Sequence, residues 1–533
     1  MRFLALLIVA VCTIGFTFLG QSVSVYYHIL TLLFLFFLLL GIWDLVQVKH
    51  SITRNYPILA HLRFLQEMIR PEIHQYFIES DIDGHPYNRN QRSLVYRRSK
   101  NVEDVMPFGT ELDVYGDHHE WLEHSMAPKA KSEEAFRISV GGPECSKPYS
   151  CSVLNISAMS FGALSPTAIL AMNAGAKKGD FFHCTGEGGL SSYHRKKGGD
   201  LVWQIGTGYF GCRNDDGTFN GDLFAEQASL DQVRMIELKI SQGAKPGHGG
   251  VLPAAKITPE IAAARKIPMG RDCVSPPGHN AFTTPRELCE FIGRLRELSG
   301  GKPVGFKLCV GHRTEFLCVC KAMIETGIYP DFITVDGAEG GTGAAPLEFA
   351  DTLGTPLKGG LIFVHNALVG CNIRDRIRIA AAGKVASAFA IARNLAIGAD
   401  WCNAARSFML AVGCIQAQSC HTNRCPVGVA TQDPRRYWAL NVADKAKRAF
   451  YFHKNTMKAL AEIVAAAGLE HPRELGPWHI CRRGEGTEIK TYDQAYRFLK
   501  PGELLDGTDE IGFGTYWQHA TAEEFRKDLT LIP

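Results

Sequence analysis

The sequence has no marked excess of either charge and no pattern of a disulfide framework. Lys and Arg total 57 and Asp and Glu total 54, a formal net charge of +3 over 533 residues. No broad electrostatic field therefore indicates nucleic acid as a partner. The 16 Cys are too sparse and too irregularly spaced for a disulfide scaffold. This favours reduced thiols or metal ligation in a cytosolic compartment.

The sequence also lacks low-complexity tracts and the composition of a disordered or collagenous chain. Hydrophobic residues make up 46%, charged residues 21% and aromatic residues 10%, which is typical of a globular protein. The length is sufficient for two to four domains of ordinary size, or for one large barrel with additions.

Two long apolar runs, at residues 3–19 and 25–46, are each about long enough to cross a bilayer as a helix. A cleaved signal peptide is the alternative, but no small-x-small triplet follows Leu19 and the second run begins at once. Arg2, Lys49 and Arg54 flank the pair, whereas the turn between the runs is uncharged. By the positive-inside rule both ends are cytoplasmic. We predict a transmembrane hairpin over residues 1–48, in a multi-pass protein of the cell membrane with a cytoplasmic catalytic domain.

The remaining chain divides into three predicted regions. Residues 49–150 mix turns with short helical patterns, one of them from residue 59 to residue 69 and ended by Pro71, and predict a small N-terminal subdomain. Residues 151–469 repeat short β-rich runs, Gly-containing loops and Ala-rich helical segments. The runs are VLNISA, FFHCTG, MIELKIS, VGFKLCV, DFITVDG, IRIAAAG and IGADWCN. Residues 470–533 predict a short, mostly helical tail.

Strand, loop and helix repeated in this order are typical of a parallel α/β fold. At least seven such units occur, and the Gly-rich and ionisable residues gather at the strand ends. The sequence therefore predicts a (β/α)8 TIM barrel in preference to an open sheet.

Three cysteines, Cys414, Cys420 and Cys425, lie in the segment CIQAQSCHTNRCPVG. Iron–sulfur centres take thiolate ligands and often have a Pro after the last Cys, as Pro426 is here. Structural zinc normally has four ligands and a closely spaced Cys pair, and His421 is adjacent to Cys420 and sterically awkward as a fourth ligand. The pattern favours a three-iron over a four-iron cluster, with three buried free cysteines as the alternative.

Glycine-rich segments follow three of the predicted strands. GAEGGTGAAP, residues 337–346, would let its backbone approach a ligand closely, although such loops also form plain bends. The loops after the last two strands are where barrels commonly hold phosphate. Gly383, Lys384, Ala405 and Arg406 are the candidates there.

A further loop, ELKISQGAKPGHGG at residues 237–250, carries Lys239, Gln242, Lys245 and His248. Lysines at barrel strand ends suit a polyanion or a dicarboxylate, and Gln supplies an orienting amide. The alternative is a solvated basic loop.

Two further patterns imitate known motifs. Gly206, Gly208 and Gly211 form G-x-G-x-x-G, but a turn sequence follows in place of the helix that a dinucleotide fold requires. His119 and His124 resemble the two metal-binding histidines of a zinc-protease helix. They stand at positions i and i+5, however, whereas two histidines on a helix need the spacing i and i+4 to share a metal. We expect them and Glu120 to be polar surface residues.

Six ordered blocks together resemble the FMN-binding synthase domain of the glutamate synthase family, over about residues 150–435. The blocks are SAMSFGALSP (157–166), TGEGG (185–189), KISQGAKPGHGGVLP (239–253), SPPGHNAF (275–282), GGTGAAP (340–346) and CIQAQSCHTNRCPVGVATQ (414–432). Residues 70–98 are similar to the short, stand-alone members of that family.

The resemblance implies an FMN-containing barrel with a 3Fe-4S cluster held by Cys414, Cys420 and Cys425. Reduced flavin would pass a hydride to 2-iminoglutarate, made from 2-oxoglutarate and ammonia. The residues that match functional segments of the family divide into four groups. Ser160 and Phe161 match the segment along the flavin, Glu187 the cavity lining, Lys239, Gln242 and Lys245 the flavin and oxo-acid side, and Gly340, Gly341, Gly343, Gly383 and Arg406 the ribityl-phosphate side.

The sequence departs from the large synthases in several places. It has neither their glutaminase domain nor their Gly-repeat β-helix, so we expect glutamine hydrolysis to lie outside this chain. His248 and Leu190 stand where acidic residues are expected, and no NAD(P) motif is found. Expected partners are a ferredoxin or a reductase subunit as electron donor, and a separate glutaminase subunit or free ammonia.

Three functions remain open from the sequence. The first is glutamate-synthase-type chemistry on 2-oxoglutarate and ammonia. The second keeps the flavin and the cluster but acts on another amino or imino acid, as in an N-methylglutamate-type condensation. The third is a catalytically silent membrane electron-transfer module, which the lysines of the 237–250 loop argue against.

Overall fold

The structure is a computed structural model that describes residues 3–508 and 512–525. The chain divides into two compact units between Arg89 and Asn90. The first unit contains α1 Leu4–Ser22, α2 Tyr27–Val46, α3 Ser51–Asn55, α4 Ala60–Ile73 and a π-helical turn His74–Ile78.

The two predicted hydrophobic runs form α1 and α2, which satisfy the length and composition of membrane-spanning helices. The rings of Phe16 and Phe34 stack between them, with centroids 5.3 Å apart. The structure therefore agrees with the helical part of the hairpin prediction.

The predicted helix end at Pro71 is wrong. Pro71 lies inside α4, which runs to Ile73 and continues into the π-helical turn. Proline removes one backbone donor and usually kinks or ends a helix. Here the backbone N–H of His74 is shared between the carbonyls of Arg70 and Pro71, so hydrogen bonding resumes after the proline.

The second unit contains fifteen strands among its described residues. They are β1 Glu120–Leu122, β2 Arg137–Val140, β3 Tyr149–Ser152, β4 Leu154–Ile156, β5 His183–Cys184, β6 Leu201–Ile205, β7 Val233–Lys239, β8 Val251–Leu252, β9 Cys273–Val274, β10 Val304–Leu308, β11 Phe332–Asp336, β12 Arg378–Ala382, β13 Trp401–Ala404, β14 Ile480–Arg483 and β15 Ile489–Thr491.

The remaining helices follow the same numbering. They are α5 Arg89–Lys100, α6 Pro166–Gly179, α7 Ser192–Arg195, α8 Gly221–Ala228, α9 Pro259–Arg265, α10 Pro285–Leu298, α11 Arg313–Thr326, α12 Leu357–Gly370, α13 Ala388–Ala396, α14 Arg406–Ala411, α15 Pro434–Tyr437, α16 Val442–Ala466, α17 Tyr492–Ala495 and α18 Gly514–His519.

Eight parallel strands close into a barrel in the order β4-β5-β6-β7-β10-β11-β12-β13, and β13 pairs with β4 to complete the ring. The predicted (β/α)8 barrel is confirmed. Each of the seven β-rich runs contains one barrel strand, and the eighth strand is β6. Helix starts follow local capping signals: the Thr284 side chain accepts from Glu287 N, and Pro285 takes the first position of α10.

The amino-terminal mouth of the barrel is closed by the antiparallel hairpin of β2 and β3. Val140 and Tyr149 of this hairpin pack with Phe332 and Trp401, which lie where β11 and β13 begin. The carboxyl ends of the strands are left for the functional loops.

The tail differs from the predicted mostly helical segment. It carries β14 and β15, and β14 also pairs antiparallel with β1 to form a three-stranded sheet. The partner strand lies about 360 positions earlier in the chain, so no local pattern of the tail could reveal the pairing.

Candidate active site at the carboxyl ends of the strands

An open cleft lies over the carboxyl ends of the barrel strands. It is lined by Ser160, Ala163, Glu187, Lys245, Gly250, Val251, Leu252, Pro253, Lys256, Arg265, Ser275, Thr342, Gly343, Ala344, Cys420 and His421. The barrel thus brings together residues from all six sequence blocks at one place.

An ion pair joins two of the predicted residues at the cleft. Lys239, the last residue of β7, donates from Nζ to Glu187 Oε1 at 2.7 Å, and the two side chains are only 7% and 17% exposed. Burial acts to raise the pKa of Glu187, but Lys239, Arg265 and Lys245 outweigh it and hold the pKa below its ordinary value. Glu187 is therefore a carboxylate surrounded by cations.

Lys245 lies on the same side of the cleft and is buried. Its Nζ donates to the carbonyl of Gly249 at 3.0 Å. Burial lowers the pKa of Lys245, although Glu187 acts in the opposite direction. Gln242 and His248 of the same loop do not line the cleft, and the His248 ring meets Phe349 edge-on with centroids 5.4 Å apart.

Sequence reasoning missed His279 and Tyr209, which together hold the end of β7. Tyr209 Oη donates to His279 Nδ1 at 2.9 Å, and His279 Nε2 donates to the carbonyl of Lys239 at 2.9 Å. Burial lowers the pKa of His279 to about 4, so the ring is neutral and this tautomer satisfies both bonds. The SPPGHNAF block contained the signal, since His279 lies within it.

Two further cations, Lys256 and Arg265, line the cleft without having been predicted. Arg265 Nη2 donates to the carbonyl of Phe161 at 3.3 Å. Lys256 Nζ donates to the carbonyls of Cys420 at 3.0 Å and Ala163 at 3.3 Å. Both residues lie in short Ala-rich helical segments, and no motif in the local sequence identifies them as residues of the site.

Ser160 and Phe161 lie in the loop after β4 and differ in their surroundings. Ser160 lines the cleft, whereas the Phe161 side chain is 1% exposed and packs in an apolar cluster with Phe210, Leu252 and Ile261. Phe161 therefore does not line the cleft.

The three Gly-rich loops after β11, β12 and β13 meet beside the cleft. Arg406 Nη2 donates to the carbonyl of Glu339 at 2.6 Å, and a Cβ on Gly341 would lie 2.8 Å from the Arg406 guanidinium. Lys384 has a positive φ of 44°, and burial together with the nearby Arg406 lowers its pKa. Gly340, Gly343 and Gly383 belong to the same loops, which bring the two cations Lys384 and Arg406 together.

The three predicted cluster cysteines lie in one loop next to the cleft. Burial raises the pKa of Cys414 to about 12, and the neighbouring Cys420 and Cys425 thiols add to this effect. The backbone N–H of Gln416 donates to Cys414 Sγ at 3.4 Å. Tyr96 Oη fixes the loop through the Cys414 carbonyl at 2.8 Å.

Across residues 3–508 and 512–525, no three His, Cys, Asp or Glu side chains form a ligand group for a metal ion. The donor chemistry nevertheless fits an iron–sulfur centre, because three mutually interacting thiols share a loop with a sulfur-directed N–H and the buried cation Lys256.

The glycine pattern at 206–211 and the His-Glu-His pattern at 119–124 have other roles in the structure. Gly206–Gly211 follow β6 and lead through turns to α8, so the predicted turn after the glycines is confirmed. Glu120 is not a surface residue: its side chain is 13% exposed and accepts from Lys358, Arg393 and Tyr492. The surface expectation is therefore wrong for Glu120.

Comparison with known proteins covers most of the chain. The family model "Conserved region in glutamate synthase" matches residues 121–470. The glutamate synthase large subunit-like protein YerD of Bacillus subtilis is 35% identical over 491 residues, which cover 84% of this chain and 93% of that protein.

Other relatives match over a shorter stretch. The archaeal-type glutamate synthase [NADPH] of Thermotoga neapolitana is 32% identical, with 64% of each chain covered. The archaeal glutamate synthase [NADPH] of Methanocaldococcus jannaschii is 33% identical, with 63% of this chain and 62% of that protein covered. The match thus spans less than two thirds of these two relatives.

Among solved structures, a mutant flavocytochrome b2 with pyruvate bound aligns with a TM-score of 0.43 and 12% identity, covering 79% of this chain and 85% of that one. A mandelate oxidase mutant with a monooxide FMN adduct aligns with a TM-score of 0.41 and 13% identity, covering 81% of this chain and 99% of that one.

Proposed function

Because the chain belongs to the glutamate synthase family, we propose that it is a membrane-tethered oxidoreductase that reduces 2-iminoglutarate, formed from 2-oxoglutarate and ammonia, to glutamate. The observation that carries this proposal is the cleft itself. Buried lysines and an arginine surround one carboxylate there, and the cysteine loop forms part of the rim. Such a site suits a dianionic substrate with one cationic nitrogen.

FMN is the flavin that these loops would hold. Its phosphate would lie against Gly383, Lys384 and Arg406, and the backbone of Gly340 and Gly341 would line its approach. Lys239, fixed by Glu187 and by the His279 contact to its carbonyl, would face the ring. Cys414, Cys420 and Cys425 would hold the 3Fe-4S cluster. When bound, FMN supplies hydride chemistry and the cluster supplies electrons one at a time.

The chain's own residues would position the substrate. Lys245 would bind a substrate carboxylate through a charge-assisted hydrogen bond. The Glu187 carboxylate would accept from the protonated imine nitrogen and orient it. Conversion of the product amine to its ammonium form needs one proton, and Lys245 Nζ is suited to supply it because burial lowers its pKa.

The two apolar helices would anchor the protein in the cell membrane, with the barrel on the cytoplasmic side. Electrons would come from a ferredoxin or a reductase subunit, and ammonia from solution or from a separate glutaminase subunit. These partners follow from the expected chemistry and stay predictions.

A second candidate substrate is another imino acid, such as the one formed from a 2-oxo acid and methylamine. Leu190, where an acidic residue is expected in the large synthases, is 9% exposed and supplies an apolar side chain near the TGEGG loop. A less polar cavity would tolerate a methylated nitrogen.

The decisive experiment is anaerobic reoxidation of the reduced, purified protein. We expect extracted flavin to be FMN, and its reoxidation to be fastest with 2-oxoglutarate plus ammonium. Pyruvate, oxaloacetate, and methylammonium in place of ammonium are the comparisons. Faster reoxidation with methylammonium would select the second candidate, whereas FAD, or reoxidation by none of these mixtures, would contradict the proposed function.

A further inference from the structure

Helix α4 and the π-helical turn after it carry an exposed apolar stripe. Leu62, Leu65, Ile69, Ile73 and Tyr76 are 59%, 51%, 40%, 40% and 53% exposed. At 100° per residue these five positions fall within an arc of about 80° on one face of the helix. A soluble helix normally turns such a face to a core.

The side of the same helix next to the stripe is polar. Arg63 pairs with Glu67 one turn later at 2.8 Å, and Arg70 and His74 continue this side. Residues 47–78 contain four Lys and Arg but two Asp and Glu, so the segment carries a positive balance. A basic amphipathic helix of this kind favours an anionic lipid surface.

The start of α4 is held at the end of the second apolar helix. Asp44, in the last turn of α2, is 2% exposed and accepts from the backbone N–H of Ile58 at 2.9 Å and from His61 Nε2 at 2.9 Å. The ring of Phe64 meets that of His50 with centroids 5.7 Å apart. The stripe therefore begins beside the point where α2 would leave the hydrocarbon core.

We propose that α4 lies in the membrane–water interface, with its apolar stripe in contact with the acyl chains of an anionic bilayer. This inference rests on the proposed membrane insertion of α1 and α2. A second copy of the chain is a poorer occupant, because a heptad repeat begun at Leu62 and Leu65 places Glu72 in the seam. The stripe also covers about two heptads, fewer than a stable coiled coil needs.

Site-specific photo-crosslinking in the full-length protein tests this placement. Benzoylphenylalanine replaces Ile69 on the stripe, Glu67 on the polar side, or Leu32 in the middle of α2, in three separate proteins. Each is reconstituted into vesicles of phosphatidylethanolamine and phosphatidylglycerol, three to one, with a clickable acyl chain on the phosphatidylglycerol. Lipid adducts are counted by mass after irradiation.

We expect the Ile69 protein to form on the order of tenfold more lipid adduct than the Glu67 protein, because only the apolar face enters the acyl region. The Leu32 protein reports on the hairpin independently. Its failure to label lipid would contradict the membrane anchor itself. Labelling at Leu32 with equal or lower labelling at Ile69 than at Glu67, or Ile69 adducts to a second chain or to residues 90–533, would overturn the interfacial placement alone.

Discussion

Single side chains decide the chemistry of the cleft, and several of them act through another residue. Glu187 keeps its charge in a buried position because Lys239, Arg265 and Lys245 outweigh the cost of burial. Removing one partner of such a pair leaves the other charge buried without compensation. The residue scale is therefore where the proposed chemistry is most directly tested.

Replacement of single cysteines should distinguish those that bind the iron–sulfur cluster from those that do not. We expect Cys414→Ser, Cys420→Ser and Cys425→Ser each to abolish the iron–sulfur cluster, because the loop offers no fourth thiol. Cys402→Ser, in the buried strand β13, is the matched control and should retain it. Iron and sulfide analysis with electron paramagnetic resonance measures the result. A cluster that survives any of the first three changes would show that the ligands are assigned wrongly.

Lys245→Gln should lower kcat/KM for 2-oxoglutarate about 10- to 100-fold, the usual range for a lost hydrogen bond to a charged group. Steady-state kinetics with saturating ammonium and donor would measure the change. Lys197→Gln, at an exposed lysine after α7, serves as control and should leave kcat/KM unchanged. Equal kinetics for Lys245→Gln and the wild type would remove Lys245 from the substrate site.

His183 should make the protein less stable in mild acid. It is fully buried, and within the described chain neither ring nitrogen has a hydrogen-bond partner. Burial lowers its pKa to about 3, below the ordinary value, so the unfolded chain takes up the proton first as pH falls below about 6.5. Stability from this residue is present above that pH and is lost progressively toward the folded pKa.

Between pH 7 and pH 5 this loss amounts to about 2 kcal/mol for one such histidine. We expect His183→Leu to show a smaller drop in Tm between the two pH values than the wild type, measured in the same detergent. An unchanged or larger drop would mean that His183 is not held neutral.

At the scale of elements, α6 packs closely against α16. A Cβ placed on Gly175 of α6 would lie 2.7 Å from Ala449 Cβ and 2.9 Å from the Ala446 carbonyl on α16. Gly175 therefore permits the two helices to approach, at some cost in helix propensity.

Gly175→Ala should destabilise the protein by about 1–3 kcal/mol through overpacking, although alanine favours a helix more than glycine does. Adding Ala449→Gly should recover part of that loss, because it removes the nearer clash. Thermal unfolding of the two single variants and the double variant measures the coupling between positions 175 and 449. Additive Tm changes would indicate that the two helices are not in contact at this point.

At the scale of the whole molecule, the charge distribution around α1 and α2 predicts the topology. A fluorescent reporter fused after residue 533 should be active in the cytoplasm, and alkaline phosphatase fused after Ser24, in the turn, should be active only outside it. The opposite pattern would refute the orientation. A variant that carries Lys49→Gln and Arg54→Gln, and has one Lys and one Arg added to the turn between α1 and α2, should show a weakened or inverted orientation.

The sequence alone determined the features that depend on local pattern. Apolar runs of bilayer length predicted α1 and α2, and seven β-rich runs predicted seven barrel strands, because hydrophobicity and periodicity act over a few residues. The ordered Gly-rich and Cys-containing blocks placed Glu187, Lys239 and Lys245 among the candidates, and the barrel brings these three together at one mouth.

Only the tertiary structure decided the features that depend on distant residues. Lys256 and Arg265 reach the cleft from helical segments, His279 fixes the end of β7, and Glu120 pairs with Lys358 across more than 200 positions. The continuation of α4 through Pro71 and the pairing of β14 with β1 could not be predicted from the local sequence either. The physical reason is that burial, partner charges and strand pairing arise when remote segments meet, and no short stretch of sequence carries that information.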